Sequence, residues 1–286
     1  MDRRFPVPPP IPPRWQLAII ASLSLWLYWS TLVGLVSQWW HDPNFTHGFL
    51  VPLFSAYVLW QDRHRLARIA LRSSWTGLII IAFGLSLLIL GQLGAELFLA
   101  RFSILLLLAG TVIFFLGWNY FRAILFPWAF LILMIPIPTI IFNQITFPLQ
   151  LLASRVAAAT LPLFGVPIFR EGNVIHLPLG PPLQVAEACS GIRSLMSLGA
   201  LAIIYGYLME RRIWVRLVLA LASVPVAIVA NSGRIVGTGL LVRYWDPEKA
   251  DAVHPYWGFI VFVVSLLLLY AFHSLIRRIS PDETER

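Results

Sequence analysis

The chain contains one cysteine, Cys189, set in Ala186–Leu195, AEACSGIRSL, between a proline-rich break and a long apolar run. That setting predicts a helix N-terminus or first turn at the cysteine, with Ser190 as its N-cap. Exposed amide N–H groups and the dipole of such a terminus favour an anion. They lower the pKa of a thiol and so raise the share of thiolate, the nucleophilic form. Arg193, one turn along, adds positive charge. A second polar cluster is Ala230–Gly237, ANSGRIVG, where Arg234 lies at the end of another apolar run and Gly233 allows a kink or a close approach. A guanidinium near membrane depth faces a polar cavity by default, and its fork can donate to a developing oxyanion. The third cluster is Val253–Gly258, VHPYWG. There His254 can titrate near neutral pH and act as general base for a thiol and general acid for a leaving amine. A thiol, an oxyanion donor and a base are the minimum for acyl transfer.

Each cluster also has a plain structural reading. Cys189 can be an inert thiol packed between helices, Arg234 can snorkel to lipid headgroups, and His254 can sit in an aromatic belt with Tyr256 and Trp257. Glu187, Arg193, Asn231 and His47 are candidate supporting residues, and Glu96 and Arg101 are close enough in sequence to pair. His41, Asp42, His47, Asp251 and His254 fall at irregular intervals without HExxH spacing, so no metal is assigned. A single cysteine excludes an intramolecular disulfide and any CxxC motif. The chain has no phosphate loop or dinucleotide fingerprint, and no cofactor is expected.

The elements that must position these groups follow from composition. The chain has 286 residues, 59% hydrophobic and 12% charged, with a mean hydropathy of +0.79. Soluble domains carry about 25% charged residues; half of that cannot coat a water-facing surface. A soluble enzyme and a disordered chain are excluded, and a polytopic membrane protein remains. The net charge of +8 comes from twenty Arg and one Lys, and reads as cytoplasmic anchoring charge rather than a nucleic-acid surface. Eight apolar segments emerge: 15–36, 45–60, 76–93, 102–117, 123–142, 190–209, 214–230 and 257–276. The first is too long for a signal-peptide core and reads as an uncleaved anchor. With the N-terminus inside, fourteen Arg fall on cytosolic segments, and six Arg and Lys249 fall outside or at membrane depth. Both termini are therefore expected in the cytosol, with 1–14 and 279–286 as tails of one membrane domain, 15–278.

This orientation places the stretch from Asn143 to Cys189 outside. Ile145–Leu163 is expected to form a helix lying in or dipping into the outer interface. Gly165–Arg170 and Asn173–Leu177 are expected to form a hairpin with Gly172 in its turn, and PLGPPL to break regular structure. The fold class is an all-α membrane bundle of about eight helices, with a small extracytoplasmic hairpin and an interfacial helix. There are no internal repeats and no soluble second domain.

Several blocks occur together along most of the chain: DPNFTHGFLVP (Asp42–Pro52), FLILMIPIP (Phe130–Pro138), FPLQLLASRVA (Phe147–Ala157), GVPIFREGNVIHLP (Gly165–Pro178), VAEACSGIRSL (Val185–Leu195), VPVAIVANSGRIVGTGLL (Val224–Leu241) and HPYWG (His254–Gly258). In this order they resemble the exosortase/archaeosortase family of membrane cysteine transpeptidases. The resemblance implies that Cys189, Arg234 and His254 are catalytic. It implies exported substrates with a tripartite C-terminal signal: a short motif such as Pro-Glu-Pro, a transmembrane helix and a basic cluster. The cleaved protein would pass to a surface acceptor, in systems tied to exopolysaccharide loci of Gram-negative bacteria. With no extra domain after Ile276, any accessory protein would be separate. The expected location is the bacterial inner membrane with the site facing the periplasm; the expected partners are such substrates and membrane lipids, not nucleic acid. Two other readings share the residues. One is a protease that only hydrolyses. The other is a non-enzymatic polysaccharide-export or lipid-binding subunit whose Arg234 and Arg193 hold anionic headgroups.

Overall fold

The computed structural model describes residues 13–177, 182–184, 191–244 and 247–280. The chain divides into two compact units, Met1–Pro138 and Thr139–Arg286.

The first unit opens with α1 (Arg14–His41), followed by α2 (Leu50–Gln61), α3 (Arg63–Leu66), α4 (Thr76–Leu93), α5 (Leu97–Phe115), α6 (Trp118–Ala123) and α7 (Leu125–Phe130). Its tightest pair is the α4–α5 hairpin. Gly77, Gly84 and Gly91 recur every seven residues along α4 and face α5. A methyl group at Gly77 would overlap the backbone of Phe114, and one at Gly91 would lie 2.6 Å from the Ala100 nitrogen. In hydrocarbon, helices gain nothing from hiding apolar surface, so small residues that let backbones approach carry the association. Glu96 caps α5, accepting from the Leu99 N–H at 2.8 Å, while Arg101 donates to Gln38 at 2.6 Å. The pair suggested by their sequence proximity does not form; the capping geometry holds the carboxylate elsewhere.

The DPNFTHGF block is a clamp within this unit. The Trp39 indole donates to the Met134 carbonyl at 2.8 Å, and His47 Nε2 lies 3.2 Å from the Leu133 carbonyl. A carbonyl only accepts, so Nε2 carries the proton. Both bonds hold the 3-10 turn Leu131–Met134.

The second unit is built around α10 (Ile213–Tyr244), which packs on α8 (Thr139–Thr160), α9 (Ile192–Met209) and α11 (Pro247–Ile279). A three-stranded antiparallel sheet of β1 (Phe169–Glu171), β2 (Val174–His176) and β3 (Leu183–Gln184) lies in the loop before α9. The expected hairpin is present. Glu171 faces Val174, leaving Gly172 and Asn173 as a two-residue loop with Gly172 at φ +60, where a glycine is needed at the first loop position. The Arg170 guanidinium donates to the Gly172 carbonyl at 2.6 Å, and the Asn173 amide donates to Gln150 on α8 at 3.1 Å. Ile175, Val166, Leu161, Ala157 and Ile235 form one buried cluster, which ties the sheet to α8 and α10.

Among the described residues, seven helices are long and apolar enough to cross a membrane: α1, α4, α5, α8 with the turn after it, α9, α10 and the apolar part of α11. The chain is a multi-pass helical membrane protein. Two expectations are corrected. The 123–142 segment is not one helix: it holds the end of α6, α7, a 3-10 turn and the start of α8, and the turn ends where Pro136 and Pro138 withhold amide donors. The stretch expected to be an interfacial helix begins earlier and forms α8, 22 residues long. PLGPPL lies mostly outside the described residues; its last residue, Leu183, opens β3 in register with Ile175.

At one end of the second unit, the α9–α10 connection carries a buried ionic knot. The Glu210 side chain is 3% exposed and takes Arg212 Nη2 at 3.0 Å and the Arg211 and Arg212 amides at 2.8 and 3.0 Å. His273 on α11 approaches Glu210 at 3.4 Å and Tyr205 of α9 at 2.8 Å. The Arg212 guanidinium above all, aided by the amides and His273 and opposed by burial, holds the Glu210 carboxyl down to about 2 from an ordinary 4.5. A carboxyl depressed on folding adds stability above its unfolded pKa and loses it as the pH falls toward the folded value. The contribution is therefore complete above pH 4.5 and fades between 4.5 and about 2; it amounts to roughly 3 kcal/mol. Detergent-solubilised wild type should lose melting temperature over that window more steeply than Glu210→Gln, which should already melt lower at pH 7. Parallel melting curves from pH 7 to 2 would count against the knot.

Candidate active site at the start of α9

The residues flanking the cysteine meet α10 at a glycine. Gly191 caps α9 in the left-handed region, φ +81 and ψ 0, and its carbonyl accepts from the Leu195 N–H at 2.8 Å. It lies flat against Asn231; a methyl group on Gly191 would lie 2.9 Å from both Cβ and Cγ of that side chain. Asn231 is 1% exposed. The contact belongs to a seam along the whole antiparallel pair: Gly199 faces Ser223 and Gly206 faces Arg216. In each facing pair the residue numbers add to the same total, so the register does not slip. It delivers the glycine of ACSG onto the asparagine of NSGR.

Three positions differ from expectation. The N-cap is Gly191 and not Ser190, and the first turn starts at Ile192, three residues beyond Cys189 in the chain. The polar NSGR run does not end its helix. α10 continues for ten residues past Arg234, because backbone hydrogen bonds sustain a helix whatever its side chains. Gly233 makes no close approach among the described residues, as a methyl group there would meet nothing within 4 Å.

Arg234 is half-buried on α10, one turn beyond Asn231, so the two share a helix face. Ser232 between them is 4% exposed, and its hydroxyl has no hydrogen-bond partner among the described residues. Sequence reasoning missed this serine; its place inside the NSGR block was the available signal. Arg193 is exposed in the first turn of α9. His254 lies in the third turn of α11, which runs antiparallel to α10, and only its backbone is described. Cys189, Glu187 and Ser190 lie outside the described residues. His47 belongs to the first unit, where its bond to Leu133 gives it a structural task.

Residues 39–271 match the family model described as Transmembrane exosortase (Exosortase_EpsH). The chain belongs to the transmembrane exosortase family. No curated protein and no solved structure matches it. The family is one of membrane-embedded sorting transpeptidases acting on exported proteins with C-terminal signals. In this exosortase the matched span takes in all seven candidate residues, and also the α9–α10 seam that joins two of the three polar clusters. Along the seam only Gly191 is a tight contact, at 2.9 Å; Gly206 and Gly199 are ordinary ones, at 3.4 and 3.8 Å.

Proposed function

We propose that the exosortase cleaves the C-terminal sorting signal of exported proteins through a thioacyl intermediate on Cys189. The observation that carries the reading is the seating of Gly191 on Asn231, which joins the ACSG block to the NSGR block. Cys189 is two residues from Gly191 in the chain, and two peptide units reach at most about 7 Å. The Cys189 thiolate attacks the scissile carbonyl carbon and a C–S bond forms. Arg234 donates to the oxyanion. The tetrahedral adduct collapses, the C–N bond breaks, and His254 returns the thiol's proton to the leaving amine. An acceptor amine, hydroxyl or water then attacks the thioester, gives its proton to His254 and frees the thiolate. Glu187, Arg193 and Asn231 position these groups, and the buried Ser232 hydroxyl joins them as a further donor.

In this reading the short α2 crosses along with the seven longer helices, so that both termini lie in the cytosol of a Gram-negative cell. The start of α9 and the end of α10 then face the periplasm, where an exported substrate arrives. Arg211, Arg212, Arg216, Arg277 and Arg278 all fall on the cytosolic side in this arrangement, as the positive-inside rule requires.

The test is to trap the intermediate. Acid-quenching purified wild type during turnover of a substrate carrying a Pro-Glu-Pro-type signal should capture a one-to-one covalent adduct by intact mass, released by hydroxylamine and missing from Cys189→Ala, and His254→Ala should form it more slowly. An adduct that persists in the cysteine variant, or none in either wild type or His254→Ala, would overturn the mechanism.

A further inference from the structure

The seam between α1 and the α4–α5 hairpin holds two cavities, both mostly apolar, of which one carries a cationic group on its wall. One, of about 260 Å³, is bordered by Ser30, Thr31 and Gly34 of α1, Gln92 of α4 and Arg101 of α5. The other, of about 320 Å³, is apolar and is bordered by Leu23, Leu27, Leu85 and Phe114 among others. Between them Tyr28 donates to or accepts from Ser103 at 3.0 Å, packed among Leu88, Ala100 and Ile104. The α1 residues of the two cavities are about eight positions apart, or about 12 Å along the helix.

Arg101 is the charged residue on the wall of the first cavity. It is 4% exposed, its Nη1 donates to Gln38, and its Nε–H has no hydrogen-bond partner. The neighbouring carboxylate, Glu96, accepts from the Leu99 amide; it attracts the guanidinium electrostatically but makes no ion pair with it among the described residues. A buried cation with an unpaired N–H donor is costly unless an anion completes it. The guanidinium fork suits phosphate oxygens. A positive head pocket and an apolar trough one short stretch below fit an amphiphile with an anionic head.

We propose that this seam binds an anionic phosphate-bearing membrane lipid, with its phosphate on Arg101, Ser30 and Thr31 and its hydrocarbon chain along the Leu23–Phe114 trough. The site lies wholly in the first unit and stands independently of the transpeptidase reading.

The experiment uses the full chain purified in detergent, with native mass spectrometry and thermal shift as readouts. The probes are dioleoyl phosphatidylglycerol, dioleoyl phosphatidylcholine and inorganic phosphate. Wild type should retain phosphatidylglycerol at least tenfold better than phosphatidylcholine and should not respond to inorganic phosphate. Arg101→Gln should lose the preference. Because loss of a buried arginine can disturb the unit, a second variant leaves it in place. A methyl group at Gly34 meets nothing within 4 Å, so Gly34→Leu can fill the cavity without a clash at Cβ. That variant should melt like wild type without lipid and yet lose the phosphatidylglycerol complex. Equal retention of the two lipids by wild type would overturn the proposal, as would undiminished binding by both variants. Stabilisation by inorganic phosphate equal to that by phosphatidylglycerol would make the site an anion site and not a lipid site, and would overturn it as well.

Discussion

Cys189→Ala is expected to abolish processing of a co-expressed substrate that carries a Pro-Glu-Pro-type motif, a transmembrane helix and a basic cluster, while the protein still inserts in the membrane. Removing a nucleophile from a cooperating set costs the full advantage of the covalent route, at least about a thousandfold in rate. The chain has no second cysteine to substitute. Cys189→Ser should fall nearly as far, since a hydroxyl near neutral pH is a much poorer nucleophile than a thiol. Immunoblotting of the substrate gives the processed fraction, and mass spectrometry of its new C-terminus separates a free carboxylate from an adduct. Processing at the wild-type level by Cys189→Ala would remove the sulfur from the chemistry. A polysaccharide-export subunit would be indifferent to the change.

The second large effect is expected at a residue with no reactive atoms. Gly191→Ala puts a methyl group on a backbone with φ +81 and presses it to 2.9 Å from Asn231. The left-handed conformation costs an L-residue about 1–2 kcal/mol, and overpacking adds about 1–3 kcal/mol. The variant should melt lower and process substrate at least tenfold more slowly, because the seat joining the two polar blocks must shift. Gly199→Ala is the matched control. It lies on the same seam, and its methyl group would meet only the Ser223 hydroxyl at 3.8 Å, an ordinary contact. Replacing an interior helical glycine by alanine gains up to about 1 kcal/mol, so this variant should process normally. If the two variants behave alike, the seat is not what aligns the site.

Much of this was legible in the sequence because hydrocarbon imposes a simple demand on backbone and side chains alike. α4 runs over the expected 76–93, and the hairpin followed from one glycine between two β-prone runs. The failures have physical reasons. Mean apolarity over a window does not register a missing amide donor, so IPIP reads as part of a span. Side-chain polarity does not register backbone continuity, so the helix with Arg234 was ended at Ala230. The α4 glycines at 77, 84 and 91 carry their meaning in spacing alone and were readable. The α9–α10 seam was not, since its pairs become visible only once the hairpin register is known. Of the candidate site, the residue types were in the sequence; the seating of Gly191 on Asn231 was not.

The length of α10 has a consequence for where the reaction takes place. Its 32 residues extend about 48 Å at 1.5 Å per residue, against a hydrocarbon core about 30 Å thick. Counted from Ile213, Arg234 stands about 31 Å along the helix, about one hydrocarbon thickness from its start. On the proposed mechanism a substrate would meet Arg234 at the membrane surface, and the spacing between its cleavage motif and its own apolar helix would act as a ruler.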